Sequence, residues 1–137
     1  MTRVLVVDDE PSVRQILVDL MDSVGHEVTT ASNGAEALER IRQWRPDAVL
    51  LDLMMPGVDG WEFLNQYRLD ASCRGIPLAV LSAAPNALTA LDEPGVLAVV
   101  PKPFELNALL DTVETLIQHS SVRLSSRSTA SPITRPN

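Results

Sequence analysis

The sequence predicts a doubly wound α/β domain, a parallel sheet covered by helices on both faces. Three observations carry that expectation. Four short aliphatic runs (4–7, 48–51, 78–81 and 97–100) are continuous rather than alternating, as strands buried on both faces should be. Segments of helical period lie between them, giving the order βαβαβαβαβα, which calls for right-handed crossovers. At 137 residues the chain has room for one ordinary domain and its core, not for two.

The first strand is Val4-Leu5-Val6-Val7. After Pro11, the residues Val13, Ile16, Leu17, Leu20, Met21 and Val24 step by three or four and so share one helix face, and Gly25 supplies the stop. Glu27 to Ala31 is more polar and reads as a strand nearer the sheet edge. Asn33 with Glu36 three residues on is a capping-box-like start for a second helix, which runs to about Trp44, before Arg45-Pro46. A third helix begins near Gly60 and carries Trp61, Phe63, Leu64 and Tyr67. A fourth, short helix is expected over Pro85 to Leu91, closed by Asp92-Glu93-Pro94-Gly95. Leu106, Leu109, Leu110, Val113, Leu116 and Ile117 mark the fifth.

From Ser120 the chain turns to Ser, Thr, Pro and Arg, with three Arg and no acid. The expected organisation is therefore a folded domain over 1–119 and a disordered tail over 120–137. The net charge of -7 argues against non-specific binding to nucleic acid or to an anionic membrane, and without the tail's cations the folded part is near -10. Trp44, Trp61, Phe63, Tyr67 and Phe104 are too few aromatics for a base-stacking platform. Cys73 is the single cysteine, so no internal disulfide forms, and a small semi-buried residue is its expected role. With no signal-peptide core at the start and no apolar run of membrane-spanning length, a soluble, cytoplasmic protein is expected.

Open parallel sheets place ligands outside the carboxyl ends of their strands. Here the first strand ends in Asp8-Asp9-Glu10, the third in Asp52, the fourth in Ser82-Ala83, and the fifth in Pro101-Lys102-Pro103. All of these collect on one rim. Singly each has a plain explanation: Asp9 or Glu10 can cap the helix at Pro11, and Asp52 or Ser82 can cap a loop. Jointly they do not, because buried strands have no structural need for acid at two ends and Lys at a third. Clustered carboxylates raise one another's pKa unless a cation sits among them, and oxygen-only ligands suit a hard ion such as Mg²⁺. The rim reads as a site for Mg²⁺ and a phosphate. Lys102 is also the only lysine beside ten arginines.

The set Asp8-Asp9, Asp52 within Leu50-Leu51-Asp52-Leu53-Met54-Met55-Pro56-Gly57-Val58-Asp59-Gly60, Ser82-Ala83 and Lys102-Pro103-Phe104 closely resembles the receiver domain of two-component response regulators, of the single-domain chemotaxis-regulator kind. The resemblance covers roughly residues 3 to 118, with four separated motifs in the right order. It implies a flavodoxin-like sandwich with strand order 2-1-3-4-5. It further implies that Asp52 accepts a phosphoryl group from a phosphohistidine of a sensor histidine kinase or phosphotransfer protein. Asp9, Asp52 and the backbone carbonyl of Met54 would hold Mg²⁺, or Mn²⁺ in its place, with Asp8 acting directly or through water. Lys102 would pair with a phosphoryl oxygen and the Ser82 hydroxyl would bond another. Backbone N–H groups of Leu53 and Ala83 would complete the contacts, and the Lys102–Pro103 bond would be cis. The chain departs from the family at Val99, where an aromatic is usual, which counts against output by an aromatic rotamer.

The expected function is a phosphorylatable switch, or phosphorelay intermediate, that assists its own phosphorylation and dephosphorylation. It signals by contact with a downstream protein whose identity the sequence does not reveal, as a monomer or weak dimer. No helix-turn-helix fits after residue 118, so direct nucleic-acid contact and membrane attachment are not expected. Two alternatives remain: an unphosphorylated receiver-like scaffold, disfavoured because no site element is missing, and a Mg²⁺-dependent phosphohydrolase, for which no substrate cap or extra general acid is present.

Overall fold

A computed structural model describes residues 2–54, 60–83 and 87–129. The elements run β1 (Arg3–Val7), α1 (Pro11–Ser23), β2 (Glu27–Ala31), α2 (Gly34–Trp44), β3 (Ala48–Asp52), α3 (Gly60–Leu69), a 3-10 turn η1 (Ala71–Cys73), β4 (Leu78–Ser82), a 3-10 segment η2 (Ala87–Asp92), β5 (Val96–Pro101) and α4 (Leu106–Thr129). All pairings are parallel, in the order β2-β1-β3-β4-β5. This is the flavodoxin-like α/β sandwich implied by the sequence.

The continuous aliphatic runs divide by alternation into two half-cores. Leu5, Val7, Val49, Leu51 and Val80 face α2 and α3, meeting Ala37, Leu38, Ile41, Phe63, Leu64 and Tyr67. Val4, Val6, Leu50, Ala79 and Leu81 face the opposite way, onto Leu17 and Met21 of α1 and Leu109, Val113 and Leu116 of α4. Each such buried side chain contributes about 2 kcal/mol of transfer free energy. β3 and β4 are buried throughout, whereas the edge strand β2 is exposed at Glu27 and half-buried over its next three residues. That is the position its polar sequence predicts.

Helix ends follow local chemistry. α1 has Pro11 in its first turn and stops where Gly25 takes φ +90, a conformation that costs glycine least. The Asn33 side chain caps α2 by accepting the Glu36 N–H (2.8 Å). Glu36 reaches back one residue further than a capping box requires, accepting from the Ser32 N–H (2.7 Å) and hydroxyl (2.9 Å). Those bonds hold its carboxyl below the ordinary value. Gly60 opens α3 against the end of β3, and its N–H donates to the Leu53 carbonyl (2.9 Å). A Cβ there would lie 2.4 Å from Leu53 Cα, so no side chain fits without moving the loop that follows Asp52.

One expectation changes, and one helix runs further than its apolar pattern. The fourth helix appears as the six-residue η2; Pro85, its expected first residue, lies outside the described residues. So short a piece cannot repay helix nucleation and takes the tighter 3-10 form. The composition break at Ser120 is not a helix end. The backbone of α4 continues to Thr129, since extending an existing helix adds a hydrogen bond per residue fixed, even where the sequence is polar. The backbone of α4 thus runs through 120–129 of the expected tail, and 130–137 lie outside the described residues. No described helix is long and apolar enough to cross a membrane.

Candidate functional site: an acidic rim with one lysine

Register brings the rim together. Val7 pairs with Leu51, Asp52 with Leu81, and Ser82 with Pro101, so the residues that follow or end four adjacent strands lie side by side. Carboxylate oxygens of Asp8, Asp9 and Asp52 all lie within 4.8 Å of one another. Lys102, which follows β5, lies two strands from β3, yet its Nζ is 3.2 Å from Asp8 Oδ2 and 3.6 Å from Asp52 Oδ1. A compact charge on a long stem is what this crossing needs. Ser82 is buried at the end of β4 between them, and the Lys102–Pro103 bond is cis.

The plain explanations for the acids can now be weighed. Glu10 is the N-cap of α1 but makes no side-chain capping bond. Asp9 has no hydrogen-bond partner among the described residues. Asp8 is fully buried and fully engaged: its N–H donates to the Ala31 carbonyl (3.1 Å), Oδ1 accepts the Glu10 N–H (2.9 Å), and its carbonyl accepts from Arg14 Nη1 (2.7 Å). Asp52 accepts the Met54 N–H at Oδ1 (3.1 Å). Asp52 is only 5% exposed, and that burial pushes its carboxyl up to about 6, with the charges of Asp8 and Asp9 adding to the rise. The Met54 N–H and Lys102 pull the other way without cancelling it.

One expected donor is already used. The Leu53 N–H donates to the Leu81 carbonyl (3.3 Å), extending the β3–β4 ladder by one bond. The next N–H, that of Met54, is the one that donates to the Asp52 carboxylate, a detail that depends on where the ladder ends. Ala83 is exposed beyond β4. Arg14 was not singled out from the sequence. Its signal was faint: a cation in the first turns of a helix, where the macrodipole disfavours one.

The donor set is all oxygen and doubly buried, and its one carboxylate without a hydrogen-bond partner, Asp9, leaves an acceptor for a hard divalent ion. Asp8, Asp9 and Asp52 therefore fit Mg²⁺. The family model for the response regulator receiver domain matches residues 4–114. Among curated relatives, the response regulator MprA of Mycobacterium sp. (strain KMS) is 39% identical over 87% of this chain and 52% of its own length. A probable transcriptional regulator, ycf27 of Guillardia theta, is 37% identical over 87% of this chain and 46% of its own. The chain spans about half the length of these relatives. Among solved structures, Vibrio cholerae CheY4 matches with a TM-score of 0.78 and 31% identity over 85% of this chain and 98% of that one. Response regulator TrrA of Thermotoga maritima, solved in complex with Mg²⁺-BeF, matches with a TM-score of 0.75 and 34% identity over 85% and 99%.

The chain belongs to the response regulator receiver domain family of two-component signalling. It is a phosphoaccepting domain whose aspartate cluster is poised for Mg²⁺-dependent phosphotransfer, a switch rather than a catalyst acting on external substrates.

Proposed function

We propose that Asp52 is the phosphoacceptor, and that the donor is a phosphohistidine of a sensor histidine kinase or phosphotransfer protein. The observation that carries this is a buried carboxylate at the end of β3, raised to about 6, within reach of two further carboxylates and of Lys102. At neutral pH such a group is largely ionised yet more basic than an ordinary carboxylate, which suits a nucleophile. An Asp52 oxygen attacks phosphorus, the P–N bond of the donor breaks, and its electron pair returns to the imidazole. Asp9, Asp52 and the Met54 carbonyl would hold Mg²⁺ or Mn²⁺, with Asp8 acting directly or through water. When bound, the ion would supply charge stabilisation to the transferring phosphoryl group. Lys102 pairs with one phosphoryl oxygen, and the Ser82 hydroxyl and the N–H groups of Met54 and Ala83 bond the others.

The phosphorylated domain acts through a downstream protein. Exposed Leu88 and Leu91 on η2, Leu97 on β5 and Leu106 on α4 lie on the elements around the β5 edge and support contact there. The half-buried Val99 fills the position of the usual aromatic, so output proceeds by loop ordering rather than by an aromatic rotamer. Residues 1–119 form the receiver unit, with the end of α4 and 130–137 as its extension.

The test is incubation with Mg²⁺ and acetyl phosphate, read by intact mass. One base-labile phosphoryl group is expected, and none in Asp52→Asn. No gain at saturating donor would overturn the reading in favour of a scaffold. Lys102→Arg should retain phosphorylation but lose phosphorylation-dependent partner binding, because a planar guanidinium cannot occupy the point-charge position.

A further inference from the structure

We infer that Arg14 is the positioning residue for the metal-binding carboxylate Asp9, an inference that rests on the reading of the aspartate cluster as the Mg²⁺ site. Asp9 is the one member of the cluster whose carboxylate has no partner among the described residues, so only its backbone can aim it. That backbone is pinned on both sides. The peptide before Asp9 contains the Asp8 carbonyl, which accepts from Arg14 Nη1 at 2.7 Å. The peptide after it contains the Glu10 N–H, which donates to Asp8 Oδ1 at 2.9 Å. A peptide group is planar, so fixing its carbonyl fixes the direction in which the chain enters Asp9. Removing the guanidinium leaves one side of Asp9 unanchored.

Arg14 also sits where a helix by itself disfavours a cation, in the first turns of α1, its N–H bonded to Glu10 at the helix start. Its charge falls on Glu36, which Ser32 and Arg40 already hold. The contact with Asp8 is therefore the feature that accounts for its placement. Only Arg carries donors on a rigid fork long enough to reach a carbonyl from the helix flank while its stem stays half-buried.

The sign of the effect separates positioning from electrostatics. If Arg14 acted only as a charge, removing it would leave the cluster more negative and tighten Mg²⁺ binding. If it positions Asp9, removal weakens binding. The experiment is calorimetric Mg²⁺ titration of the full chain and of Arg14→Met and Arg14→Lys, with thermal unfolding in the absence of metal. For Arg14→Met the expected result is affinity reduced roughly tenfold, the usual scale for a group that orients a metal ligand. Acetyl-phosphate labelling should be slowed at low Mg²⁺ and restored at saturating Mg²⁺. Arg14→Lys keeps the charge and should recover little of the affinity. Unchanged or tighter binding in both folded variants would overturn the inference while leaving the metal site standing. No Mg²⁺ binding by the unsubstituted protein would overturn the site reading and this inference together. Should Arg14→Met fail to fold, Arg14→Lys alone decides: wild-type affinity would overturn the positioning role.

Discussion

At the carboxyl end of the sheet, Asp52 is buried beside two other acids and its carboxyl is pushed up to about 6. At the amino end, just past α3, Asp70 accepts from the Ser72 hydroxyl (2.6 Å), the Ser72 N–H (2.9 Å) and Arg42 (2.8 Å), and its carboxyl is pulled down to about 2. The neighbourhood of Asp70 is satisfied without any ligand: Arg45 donates to the carbonyls of Ser72 and Arg74 (2.9 and 2.8 Å), tying α2 to η1. Cys73 is buried inside that tie, where burial pushes its thiol up to about 11 and leaves it unreactive. One end of the fold thus satisfies its carboxylate, and the other crowds three carboxylates together with a single lysine against two of them. Crowding that a divalent cation relieves is a means of making folding stability respond to the metal's arrival.

Substitutions at the two ends should therefore behave oppositely. The largest effect belongs to Asp52. A carboxyl raised from 3.8 to about 6 binds its proton more tightly in the folded state, so the contribution of Asp52 to stability is fully present below pH 4 and is lost as pH rises through 4 to 6. Without metal, Asp52→Asn should then gain up to about 3 kcal/mol at pH 7, and the gain should vanish near pH 4 in urea titrations. A loss at pH 7 would break the comparison. Saturating Mg²⁺ should stabilise the unsubstituted protein by about 2.7 kcal/mol at a hundredfold excess over Kd. It should stabilise Asp9→Asn far less, read as a shift in thermal midpoint.

Lys102→Met should cost about 2 kcal/mol without metal, because it leaves the acids facing one another. This is less than for a fully buried pair, since 22% of the lysine side chain remains exposed. Mg²⁺ should recover part of that loss. The smallest effect is at the amino end. Asp70→Asn should lose a modest amount at pH 7, and the difference from the parent should fade as pH falls from 4 toward 2. Its carboxyl is lowered, so its contribution exists only above that range. Equal pH dependence for Asp52→Asn and Asp70→Asn would remove the distinction between the two ends.

Much of this was legible along the chain. Val4 to Val7 and Ala48 to Leu51 announce buried parallel strands, and parallel strands send whatever follows them to one rim; Asp8, Asp9, Asp52, Ser82 and Lys102 had to meet. The Asn33–Glu36 spacing located α2, although the Glu36 carboxylate chose Ser32 over the cap residue. Less legible was anything set by where a ladder ends. Leu53 could serve as an open donor only if β3 stopped pairing at Asp52, and it pairs for one bond more. The fourth helix shrank to η2, and α4 outran a composition change, because helix length is decided by cooperative hydrogen bonding and contact with the sheet rather than by residue type alone.

The sequence by itself determined the order of elements, the two-faced core and the identity of the rim residues, since these depend on periodicity and on the direction of parallel strands. Tertiary structure alone decided that Lys102 reaches across to Asp8 as well as Asp52, and that Arg14 holds the carbonyl ahead of Asp9. It alone also raised the Asp52 carboxyl while that of Asp70 is lowered. The physical reason is that charge, burial and hydrogen-bond direction depend on distances of a few ångströms between residues far apart in the chain. The Lys102–Asp8 contact spans 94 positions, and no local pattern encodes it.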